Sequence, residues 1–164
     1  MATAASRKPI PNASSRSKNI FADIEAILIG NGAKSFTFVA ENNKKIGLEF
    51  ALVVNDRVLH FKMPVDIDAT LKTLRNEAQT STERRSATYE RAYQITWATV
   101  RDMVRVNMAL YRIHNTEIPQ IFLGYLLNRD KTHTMYEIMK QDQFLLPTET
   151  ESIVTEYREG EVVV

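Results

Sequence analysis

The chain has 164 residues, a mass of 18.8 kDa and a formal net charge of +1 at pH 7. That length fits one domain burying roughly 70% of its unfolded surface, and 44% hydrophobic with 25% charged residues is an ordinary folded composition. The absence of cysteine excludes disulfide scaffolds, thiolate zinc sites and thiol nucleophiles, and no apolar run approaches the ~20 residues that span a bilayer.

Residues 1–17 carry Arg7, Lys8 and Arg16 without an acid and no apolar stretch of a secretion signal. They are expected to form a disordered basic arm. Residues 18–146 are expected to form a single α+β domain. It opens with a helix whose Ile20, Phe21, Ile24, Ile27 and Leu28 share a face, ended by Gly30-Asn31-Gly32. The apolar period then changes to two. Phe36 and Phe38, then Ile46, Leu48, Phe50 and Leu52, then Leu59, Phe61 and Met63 alternate with other residues. Polar turns at 41–45 and 55–56 separate the runs, and Pro64 stops the last. This spacing predicts a three-stranded antiparallel meander with one apolar face.

The rest reads as helical. Asp66 or Asp68 is placed to cap a helix with Ile67, Leu71 and Leu74 inward, and the polar stretch 79–85 is expected to bend the chain. A long helix packed on the sheet follows, in a segment from Glu83 to Asn115 free of Pro and Gly. Its inward face is Tyr93, Trp97, Val100, Val104, Met108 and Tyr111, widened by Met103, Val106, Leu110 and Ile113. So wide an apolar stripe implies packing on two sides. Thr116 is expected to cap a helix carrying Ile118 and Phe122, and Thr134 with Glu137 has the spacing of a capping box. Residues 147–164, with five glutamates against Arg158, are expected to form an acidic flexible tail.

Arginines carry the functional signal. Arg84, Arg91, Arg105 and Arg112 follow a seven-residue repeat whose middle slot is Ala98, and Arg101 lies one turn before Arg105. Positions so spaced share a helix face, and the guanidinium fork matches phosphate oxygens. These five residues are the candidate nucleic-acid-binding set. The competing reading is a solvated face, or arginines paired with acids of the same fold. Tyr93, Trp97 and Tyr111 are expected in the core, leaving Tyr89 partly free to stack. His60, His114 and His133 share no metal-ligand spacing, the carboxylates (Asp66 and Asp68, Glu25, Glu41, Glu49) show no recognisable catalytic spacing, and no phosphate loop or nucleophile elbow is present. Neither a catalytic residue, a metal nor a cofactor is therefore expected.

Ala92, Tyr93 and Trp97, followed by Ile118, Phe122-Leu123, Tyr125 and Thr134-Met135-Tyr136-Glu137, come after a meander ending in Phe61, Met63 and Pro64. Over residues 19–146 this pattern is similar to a loose group of small uncharacterised proteins of tailed phages and prophages. The resemblance implies an accessory protein of the host cytoplasm and brings no catalytic residues. In element order the opening also resembles a double-stranded-RNA-binding domain, but Asp66-Ile67-Asp68-Ala69 stands where that family places lysines. The leading expectation is a non-enzymatic accessory protein that binds nucleic-acid backbone. The alternative is a protein-interaction module, either a self-assembling homo-oligomer or an inhibitor of a host defence enzyme. A third reading sequesters a nucleotide messenger between subunits. No membrane partner is expected.

Overall fold

The computed structural model describes Ile10 and residues 19–145. The expected acidic tail and, Ile10 apart, the basic arm lie outside the described residues. The order is α1 (Ile20–Gly30), β1 (Ser35–Glu41), β2 (Lys44–Val54), β3 (Arg57–Met63), α2 (Ile67–Glu77), α3 (Ser81–Ser86), α4 (Tyr89–His114), α5 (Ile118–Phe122), a 3-10 turn (Leu123–Tyr125) and α6 (Met135–Gln141). This is the expected α+β arrangement: a helix, an antiparallel sheet in the order β1-β2-β3, and a helical second half dominated by α4.

Two tight turns set the meander. Asn42 and Asn43, and again Asn55 and Asp56, hold φ between 47° and 62°, the left-handed pair that a two-residue hairpin turn requires and that Asn and Asp tolerate. Pairing then aligns Phe36, Phe50 and Phe61 in one row and Phe38, Leu48 and Met63 in the next. These rows form the inner face. Together with Ile24 and Leu28 of α1, Trp97, Val104 and Met108 of α4, and Phe122 of α5, they build the main core. The far edge of β3 is extended by Leu126 and Leu127, whose backbone meets Phe61 and His60.

The polar stretch at 79–85 is not a plain bend. Thr80 Oγ1 accepts the Glu83 amide at 3.1 Å, and the Glu83 carboxylate accepts the amides of Gln79 and Thr80 at 2.7 and 3.2 Å. That capping box makes α3 a helix of its own. A second cap, Thr88, accepts the Arg91 amide at 3.2 Å and opens α4, which ends at Asn115 with φ 52°. At α5 the cap position is Glu117 rather than the expected Thr116, with no side-chain cap bond and Pro119 in the first turn. Asp66 caps α2 as expected, accepting the Ala69 amide at 2.8 Å.

The capping box at α6 makes a pH-dependent prediction. Glu137 accepts the Thr134 amide and hydroxyl at 2.7 and 3.1 Å. The backbone bond first, then the hydroxyl, hold its carboxyl below the usual glutamate range, with smaller help from Lys62 and His133. A depressed carboxyl stabilises the fold above its unfolded pKa and loses that contribution as pH falls through the folded value. The Thr134 amide resonance should therefore titrate below the usual glutamate range, and Glu137→Gln should abolish that titration. An unchanged titration in the variant would contradict the assignment.

Candidate functional site

The five candidate arginines do not form one stripe. Arg84 sits on α3, separated from α4 by Ala87 and Thr88, so the capped break removes it from the long helix. The repeat is interrupted again at its middle slot, because Ala98 is buried in the main core. Fourteen residues of helix, roughly 21 Å, thus separate Arg91 from Arg105 with protein packed between them.

Their electrostatic states also differ. Arg91 Nη1 donates to Ser86 Oγ at 2.8 Å. Arg101 is largely covered, its side chain only 11% exposed. Its Nε and Nη2 both donate to Asp102 Oδ1 at 2.8 Å, and Asp23 Oδ2 of α1 lies 3.7 Å from its Nη1. Arg105 shares the same Asp102 oxygen at 3.5 Å while remaining half exposed. Arg84 and Arg112 are exposed, with no ion pair to a described residue. The central guanidinium is therefore neutralised inside its own fold, and of the exposed ones Arg105 and Arg112 lie two turns apart on α4 while Arg84 belongs to α3.

Two of the three aromatic residues expected in the core, Trp97 and Tyr93, are inside, and Tyr111 is not. Trp97 is fully buried and Tyr93 partly so, whereas Tyr111 is 42% exposed and departs from the predicted inner face. Lys45 ties this cluster to the sheet. Its backbone amide donates to the Tyr93 hydroxyl at 3.2 Å, and its carbonyl accepts Trp97 Nε1 at 3.1 Å. Burial is the main cause that raises the Tyr93 pKa. The Lys45 ammonium lies 3.9 and 4.2 Å from the Phe21 and Phe38 ring centres. Tyr89 is half-buried beneath Lys44, whose ammonium is 4.5 Å from its ring centre and 3.9 Å from Glu90. Tyr89, expected to be partly free, is half-buried, with a cation of its own chain over its ring.

No protein-family model, curated protein or solved structure matches this chain. Among the described residues no group of three or more metal-ligating side chains is found, and no helix is long and apolar enough to cross a membrane.

A different surface on α4 was only half legible. Its apolar stripe was expected to be covered on two sides, yet Val106, Leu110 and Ile113 are exposed, Ile113 at 76%. In the first half of α4 the same face is covered: Ile95 packs with Ile67 and Leu74 of α2, and the Thr96 hydroxyl donates to that of Thr70. At 1.5 Å per residue, α2 with 11 residues extends about 16 Å and α4 with 26 extends about 39 Å. The long helix outruns its cover, and its apolar face continues into solvent.

Proposed function

We propose that this chain is a protein-interaction module that pairs with a second copy of itself through the second half of α4. The observation that carries the reading is the exposed run Val106, Leu110 and Ile113, continuing from the half-buried Met103. Those four positions follow a 3-4-3 spacing, the repeat by which one helix seams against another. Beside the seam lie Asp102 and Ala109 on one flank and Asn107 and His114 on the other, and the Asp102 carboxylate is already held by Arg101 and Arg105. Three large apolar side chains in one exposed row also form the kind of patch that marks a contact surface. An accessory scaffold of this kind agrees with the role implied by the resemblance to phage proteins.

The nucleic-acid reading has less support. Arg101 is paired with Asp102 and Asp23, and Arg84 lies on a different helix from Arg112. Light scattering on the full chain tests both. A dimer that persists in high salt, and becomes monomeric in Leu110→Glu/Ile113→Glu with an unchanged melting temperature, is the expected result. A monomeric wild-type protein whose oligonucleotide binding is lost in Arg105→Ala/Arg112→Ala would replace it with the first reading.

A further inference from the structure

At the end of β3 the chain from Met63 to Asp66 passes beside the 3-10 turn and α6, and a cleft of about 430 Å³ opens between them. Small-molecule sites span about 300–1,000 Å³. Met63, Val65 and Tyr136 give it apolar walls, and Gly124 lines it with backbone. Tyr125 lines the cleft and its hydroxyl meets Met103 Sδ at 3.7 Å, but the exposed seam residues Val106, Leu110 and Ile113 are not among the lining.

Four charged side chains line the cleft, and they divide by what they already hold. Both carboxylates are engaged: Asp66 in the α2 cap at 2.8 Å, and Glu137 in the α6 capping box at 2.7 and 3.1 Å. Lys62 and Lys140 are exposed, and neither has an ion pair to a described residue. Lys62 is near enough to Glu137 to help keep it ionised without bonding to it. The lining thus presents two exposed ammonium groups beside two carboxylates whose charge their neutral hydrogen-bond partners do not cancel. An ammonium offers three donors and no acceptor, so its complement is an anion.

We propose that this cleft binds a small amphipathic anion, with an apolar body against Met63, Val65 and Tyr136 and a carboxylate met by Lys62 and Lys140. The caps that occupy Asp66 and Glu137 also hold the walls in place, so the site is formed before a ligand arrives.

Titration of the full chain with 4-phenylbutyrate, followed by the amide resonances of Gly124 and Tyr136, tests this. Saturable binding with a Kd on the order of 1 mM or tighter is expected. It should weaken about tenfold for the neutral 4-phenylbutanol and in Lys62→Met/Lys140→Met, the scale of a lost charge-assisted bond. Gly124→Trp should abolish binding by filling the hollow, since a Cβ at Gly124 meets only Tyr136 Cβ at an ordinary 3.9 Å. No saturable shift, equal binding of the neutral compound, or undiminished binding in the lysine variant would overturn the proposal. If Gly124→Trp does not fold, the lysine variant and the neutral compound decide the matter alone.

Discussion

Replacing Trp97 with alanine is expected to cost about 3–5 kcal/mol of stability, the range for emptying a large aromatic from a packed core. Trp97 is 0% exposed and meets Phe21 and Phe38 edge-on at 4.9 and 5.7 Å between ring centres. Its indole N–H is the donor to the Lys45 carbonyl, so truncation leaves that acceptor without its bond as well as opening a void. Chemical denaturation reads the effect. A loss under about 1 kcal/mol would mean that the side chain is not in the core and that the inner face of α4 is misassigned.

Asp102→Ala is the second large effect, expected at about 2 kcal/mol. Two charge-assisted bonds at 2.8 Å hold a nearly covered guanidinium, each of a kind that contributes about 1.5–3 kcal/mol. The carboxylate is 34% exposed, so water reduces the loss. Asp23 at 3.7 Å remains as a weaker partner. The damage comes from stranding a cation rather than from losing an attraction. Arg101→Met with Asp102→Ala should therefore be more stable than Asp102→Ala alone. A double variant less stable than the single one would remove the stranded charge from the account.

Elements governed by local chemistry were legible in the sequence. Alternation placed the three strands, because one face is buried and a one-residue slip would expose it. Asp66, and Thr134 with Glu137, announced two helix starts, since a cap needs only residues a few positions apart. The same logic applied to Thr80 with Glu83 would have revealed α3, which the polarity of its residues concealed. The break in the arginine stripe was not legible for a different reason. Heptad spacing says which residues share a face of a helix, but not what the fold lays over it. Ala98 was the available hint, a small residue where a neighbour packs close. The partnership of Arg101 with Asp23 joins α4 to α1 and has no local signature. The row at Val106, Leu110 and Ile113 was read as a second packing side of α4, but heptad spacing does not say whether this fold or a second subunit covers it.

The grip of α4 on Lys45 spans 48 residues to Tyr93 and 52 to Trp97. A ribosome therefore releases the whole meander well before the clasp that fastens its first hairpin. β1 is an outer strand then as in the finished sheet, and Ser35–Glu41 holds no proline and only a terminal acid to deter a neighbouring chain. Contacts so distant along the polymer also slow folding, because a long loop must close before they form. Newly made protein is thus most prone to aggregate after residue 63 has emerged and before residue 97 follows.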